Sequence, residues 1–219
     1  MYHRSALRHA VGRDRGLRPQ SPDRATSLTT LDLIEVLFLC TGNICRSPVA
    51  EALLRHSLAA AGVEATVRSA GLLDLGQRAS VHSVDVLAGR GIDLSAHRSQ
   101  TMTRDLLVRA DLVIAMAREH VREAVVMAPE VFARTFTLKE LVRRGVDVGS
   151  RHAGQPLDRW LSYAHTGRTA TSLMGHSTDD DVADPIGQPR PAYERMVGEL
   201  EGLIADLVSL LWAREGKAA

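Results

Sequence analysis

At 219 residues, 45% of them apolar, the chain has material for one sizeable core, and a single domain is the expectation. A net charge of +1 gives no case for nucleic acid, no apolar run approaches the roughly 20 residues that cross a bilayer, and the basic N-terminus lacks the apolar stretch of a secretory signal, so a cytoplasmic protein without membrane insertion is expected. Its two cysteines, Cys40 and Cys45, stand too close in sequence for a bridge between them to staple the fold, so their task is expected to be chemical.

Residues 1 to about 30 hold six arginines against Asp14 and Asp23, a local +4 that leaves −3 for the remainder, and show no sustained period; they read as a disordered basic tail ahead of one domain at 31–215. "IEVLFL" (34–39) is a short apolar run that suits a buried parallel strand. From Ser47 the period becomes helical, with Ala50, Leu53, Leu54, Ser57, Leu58 and Ala61 on one face, Pro48 at the first helical position and Gly62 past the end. The alternation then repeats: strand "ATVRSA" (65–70), helix 80–91 from Ser80 to Gly91, strand "LVIAM" (112–116), helix 118–127 and strand "RTFTL" (134–138) before "KELVRR". Four strands alternating with helices predict an α/β fold, a doubly wound four-stranded parallel sheet with helices on both faces. Residues 145–181, rich in Gly, Ser, Thr, His and Asp, read as an insertion with a short helix around Leu157, Trp160, Leu161 and Ala164, and 192–215 as a long amphipathic helix closing over the sheet.

In such a sheet ligands bind beyond the carboxyl ends of the strands, where "CTGNICRS" (40–47) follows the first strand. A short loop entering a helix N-terminus gathers backbone N–H groups and the positive end of the helix dipole, which attracts a dianion such as phosphate. Gly42 is expected to let the backbone turn, and Asn43 tolerates positive φ. The same field is expected to lower the pKa of Cys40 and make it a thiolate nucleophile, while Arg46 can hold two phosphate oxygens at once. These residues predict phosphoryl transfer.

The string "VLFLCTGNICRSPVAEALLRH", continued by "RSAG", "GIDLSAHRSQ", "ADLVIAM" and "ADPIGQP", resembles the low-molecular-weight protein tyrosine phosphatases over most of residues 34–213. The resemblance implies hydrolysis of phosphomonoesters, protein phosphotyrosine foremost, through a cysteinyl-phosphate, with a phosphorylated protein as partner and neither metal nor cofactor. Asp184, directly before Pro185, matches the family's general acid, and the proline restricts its backbone. Ser47 is placed to donate to the sulfur as it leaves, Thr41 and Ile44 complete the loop, and Asn43 and His97 match positions that support it. Cys45 can form a protective disulfide with Cys40 or serve as a packing residue. Asp179, Asp180 and Asp181 read as a solvated acidic turn, and His152, His165 and His176 as solvated histidines.

The family's ring-binding aromatics are replaced by Ile186 and Gly187 after Pro185 and by Leu72, Leu73 and Leu75 in the loop after the second strand. Ile44 resembles the tyrosine-directed branch, which carries a branched apolar residue where the arginine-phosphate branch carries threonine, whereas "FTLKELV" (136–142) is similar to segments of that second branch. A protein arginine phosphatase and an arsenate reductase on the same fold are therefore alternatives. A non-catalytic phospho-ligand binding module has no need of Cys40, Arg46 and Asp184 together.

Overall fold

Strand β1 (Glu35–Cys40) has neighbours on both edges, β2 (Thr66–Gly71) on one and β3 (Leu112–Ala115) on the other, with β4 (Thr135–Thr137) beyond β3. All pairs are parallel and the order is β2-β1-β3-β4. The structure, a computed structural model, describes residues 33–73 and 76–212; the expected tail, Leu75 and positions 213–215 of the helix expected at 192–215 lie outside the described residues.

Side chains alternate across a strand, and here both faces of β1 are buried. Val36, Phe38 and Cys40 join a cluster built with α1 (Arg46–Ala61), α2 (Val81–Ala88), α5 (Leu138–Val148), α6 (Leu157–His165) and α7 (Arg190–Leu211). Leu37 and Leu39 join a second cluster with α3 (Arg104–Arg109), α4 (Arg118–Met127) and a 3-10 turn at Pro129–Arg134. Helices on both faces explain why β1 and β3 read as unbroken apolar runs rather than as alternating ones.

Local chemistry sets the element ends. The helix α1 starts at Arg46, so Pro48 sits third rather than first; the first helical amides need no intrahelical partner, and a residue without N–H fits either position. Gly62 closes it at φ 64°. At α2 the Ser80 side chain accepts from Ser83 N at 3.3 Å, and the helix stops at Ala88, before the expected Gly91. The short α3 is absent from the pattern read above, although Thr103 Oγ1 accepts from Leu106 N as a helix-starting cap should.

The segment from 145 onwards is woven into the core. Residue 145 falls inside α5, and its glycine leaves room for two neighbours, because a Cβ there would stand 2.7 Å from Leu210 Cδ1 and 3.1 Å from Trp160. Trp160, Leu161 and Ala164 of α6 are buried, and Trp160 Nε1 donates to Gly149 O at 2.8 Å. His165 is not simply solvated: it packs edge-on against Phe132 with Nδ1 3.1 Å from Arg168 Nη1, whereas His152 and His176 are exposed. Arg168 is buried between Glu140 and the Phe136 ring, 4.0 Å from its centroid. Among the described residues no helix is long and apolar enough to cross a membrane.

Candidate active site

The last residue of β1 is Cys40, and the five residues after it turn the chain into α1. The strand order reverses between β1 and its neighbours, which opens a crevice at this carboxyl end. Cys40 Sγ lies 3.0 Å from Ser47 Oγ and accepts from Asn43 N at 3.2 Å. The tight turn falls on Asn43, whose φ is 50°. Gly42, expected to be the turning residue, has no positive φ, and a Cβ there would meet nothing nearer than Ile44 Cγ1 at 3.4 Å.

A residue held at positive φ needs support, and Asn43 receives it on every polar atom. Its Nδ2 donates to Ser47 Oγ (2.9 Å) and Ser69 Oγ (2.8 Å), its Oδ1 accepts from Gln100 N (3.0 Å), and its carbonyl oxygen lies 2.8 Å from His97 Nε2. Ser69 in turn donates to Glu51 Oε2 at 2.6 Å. Strand β2 presses directly on the loop: a Cβ on Gly71 would stand 2.8 Å from Thr41 O and 2.9 Å from Asn43 N. No side chain caps α1 at Cys45, so its first amides face the loop.

Arg46 is buried and points from the start of α1 across the loop, donating to Val182 O (3.3 Å), Thr41 Oγ1 (3.2 Å) and Asp184 Oδ2 (2.6 Å). Asp184 is the more open partner, at 37% side-chain exposure, and its other oxygen accepts from Ile186 N. The structure thus brings the thiol and guanidinium of one loop together with a carboxyl 138 residues further along the chain. Cys45 lies behind the loop with Sγ 3.8 Å from Tyr193 Oη; burial pushes its thiol pKa up, and hydrogen bonds to Ser80 and Tyr193 only partly offset that.

The acidic stretch before Asp184 differs from the solvated turn expected of it. Asp180 is buried and accepts from Arg118 Nε and Arg143 Nη2, both at 2.7 Å. Asp181 accepts from Arg118 N at 2.8 Å and Ser177 N at 3.0 Å, and only Asp179 is exposed. The reason is electrostatic: Asp180 meets two arginines and Asp181 the N-terminus of α4, all contributed by distant elements.

His120 was missed as well. It is fully buried in the first turn of α4, with Nε2 3.0 Å from Thr41 Oγ1, and burial followed by the charges of Arg46 and Arg122 pushes its pKa down to about 3. Its place just past the carboxyl end of β3 was the available signal, because that end of the sheet is where sites form. Leu72 and Leu73 are tied to the loop, each with its amide on Thr41 O; Leu73 and Ile186 are exposed, and Ile44 packs partly against the core.

Residues 35–159 match the sequence profile of the low molecular weight phosphotyrosine protein phosphatases, a stretch that ends before Asp184. A protein-arginine-phosphatase of Geobacillus stearothermophilus is 36% identical over 177 residues, 80% of this chain and 95% of that protein. A probable low molecular weight protein-tyrosine-phosphatase, EpsP of Ralstonia solanacearum, is 40% identical over 112 residues, 51% of this chain and 75% of its own length. Among solved structures, the low molecular weight protein tyrosine phosphatase from T. tengcongensis superposes with a TM-score of 0.62 at 35% identity, covering 80% of this chain and 98% of the other.

Proposed function

This chain belongs to the low molecular weight phosphotyrosine protein phosphatase family and is a cysteine-dependent phosphatase, and on that premise we propose that it acts in the cytoplasm on phosphotyrosine in proteins, with Cys40, Arg46 and Asp184 as the catalytic residues. The observation that carries the assignment is the convergence of the three groups on one loop: Cys40 Sγ bonded by Ser47 and Asn43 N, and one guanidinium bridging the loop to Asp184.

In the reaction the Cys40 thiolate attacks phosphorus in line, the P–O bond to the aryl group breaks, and Asp184 gives its proton to the departing oxygen. Arg46 and the loop amides hold the equatorial oxygens. Asp184 must first leave Arg46, and an arriving phosphate supplies the guanidinium with replacement oxygens. Asp184, now a carboxylate, takes a proton from water, whose oxygen attacks phosphorus and releases inorganic phosphate and the thiolate. Ser47 Oγ steadies the returning sulfur charge.

Phosphotyrosine is favoured because the exposed residues next to the loop and the acid are aliphatic: Leu73 and Ile186 are available to pack on a ring, while a phosphoarginine guanidinium would call for polar partners beyond the acid itself. A second reading, hydrolysis of protein phosphoarginine, is favoured by the Geobacillus relative's name and its coverage. Turnover of phosphotyrosine and phosphoarginine peptides, and of arsenate with thiol donors, distinguishes the readings. The proposal expects phosphotyrosine to be preferred, Cys40→Ser to be inactive yet still bind phosphate, and Asp184→Ala to slow poor leaving groups far more than good ones. Substantial activity in Cys40→Ser, or equal losses for both leaving groups, refutes the roles.

A further inference from the structure

The imidazole of His120 is fully buried against the loop, and the reaction above gives it nothing to do. Its Nε2 lies 3.0 Å from Thr41 Oγ1, and the same oxygen accepts from Arg46 Nη2 at 3.2 Å. Its other nitrogen, Nδ1, is buried with no hydrogen-bond partner among the described residues.

The proton's place on the ring follows from counting donors. A guanidinium only donates, so Thr41 Oγ1 spends one lone pair on Arg46. The ring is neutral, with its pKa pushed down to about 3 by burial, Arg46 and Arg122, and so carries a single N–H. On Nδ1 that hydrogen would be an orphaned buried donor; on Nε2 it is bonded, and only an acceptor is left over, which is the less costly deficit. Glu119 Oε1, 3.3 Å from Nε2, favours the same nitrogen. Both lone pairs of the Thr41 hydroxyl are then filled, one by His120 and one by Arg46.

We propose that His120 is a positioning residue for phosphate binding: its Nε2–H fixes the Thr41 hydroxyl, and that hydroxyl holds the Arg46 guanidinium in the orientation that receives phosphoryl oxygens. The inference rests on reading the loop as a phosphate site. Three side-on partners hold Arg46, namely Val182 O, Thr41 Oγ1 and Asp184. Asp184 must depart to serve the leaving group, so Thr41 and the Val182 carbonyl are the two that keep the guanidinium aimed while phosphate is bound. Without His120 the Thr41 O–H is free to rotate about the Cβ–Oγ1 bond and turn its proton toward Arg46.

The test uses the full chain, p-nitrophenyl phosphate as substrate and inorganic phosphate as competitive inhibitor, in His120→Leu, Thr41→Val, the double variant and His120→Gln. Leucine and valine fill the buried space without polar atoms, and glutamine can present an N–H where Nε2–H stood. His120→Leu and Thr41→Val should each weaken phosphate inhibition about five- to tenfold, the double variant no further than the worse single, and KM should rise more than kcat falls. His120→Gln should return inhibition to within about twofold of the parent. Either single variant inhibited as tightly as the parent, losses that multiply in the double variant, or a glutamine no better than leucine overturns the inference. A parent that neither hydrolyses the aryl phosphate nor binds phosphate overturns the functional reading and this inference with it; an active parent with unaltered variants overturns the inference alone.

Discussion

Gly71 shows how little room a single residue can leave. A methyl group there would come within 2.9 Å of two backbone atoms of the loop, neither of which can swing aside as a side-chain tip can. Gly71→Ala is therefore expected to displace Thr41 and Asn43 and to lower kcat/KM for an aryl phosphate by about 100-fold or more, at a stability cost of roughly 1–3 kcal/mol. Near-parent kinetics would show that the loop tolerates the shift. Cys45 makes a different prediction at this scale. If peroxide converts Cys40 to a sulfenic acid, the Cys45 thiolate can attack that sulfur, forming a disulfide and releasing the oxygen as water. Because burial raises the Cys45 pKa, the thiolate fraction grows as pH rises, so bridge formation should quicken from neutral to alkaline pH. Cys45→Ser should keep most of its activity but not recover with a dithiol after peroxide; recovery equal to the parent's would make Cys45 a packing residue.

Among the elements, the segment that delivers Asp184 depends on its neighbours for its position. Asp180 ties it to α4 through Arg118 and to α5 through Arg143, Asp181 caps the first amide of α4, and Val182 N donates at 2.8 Å to the carbonyl of Met116, the residue after β3. Burial raises the Asp180 pKa, but the hydrogen bonds and charges of Arg143 and Arg118 outweigh it and hold the carboxyl below its usual range. Asp180→Asn leaves both arginines short of a counter-charge; since Arg143 is half exposed, about 1–3 kcal/mol of stability should be lost rather than the full cost of a broken buried pair. The same substitution should loosen Asp184 and slow poor leaving groups more than good ones, which pre-steady-state and steady-state rates on a leaving-group series would reveal. A change in melting temperature with an unaltered leaving-group slope would confine Asp180 to stability.

Across the whole molecule, the buried neutral His120 makes stability depend on pH. The unfolded chain binds a proton at His120 below about pH 6.5, whereas the folded one resists until about 3, so this contribution is complete above 6.5 and is lost progressively as pH falls between those values. The loss should reach roughly 3–5 kcal/mol by the acid end of that window. Asp180, with its depressed pKa, adds a further loss as pH falls below the ordinary aspartate range. Chemical denaturation from pH 7 to 4 should show the slope, and His120→Gln should flatten it; an equal slope in that variant would assign the effect to other groups.

The β–α alternation, the phosphate loop and the pairing of Asp184 with its proline were legible in the amino-acid sequence, because each is written in neighbouring residues. A buried strand is a run of apolar side chains, and a C-x5-R loop at its end carries its own chemistry in seven consecutive positions, Cys40 to Arg46. Asn43 at φ 50° fits the same rule, since few residues other than glycine tolerate that conformation. The partners of those residues were not legible. His120 looks like any helical histidine until β3 brings α4 against Thr41, and Asp180 looks like surface until Arg118 and Arg143 arrive from 62 and 37 residues away. Burial and charge pairing are properties of the space around a side chain, and only the packed sheet, with helices on both faces, decides which distant group fills that space.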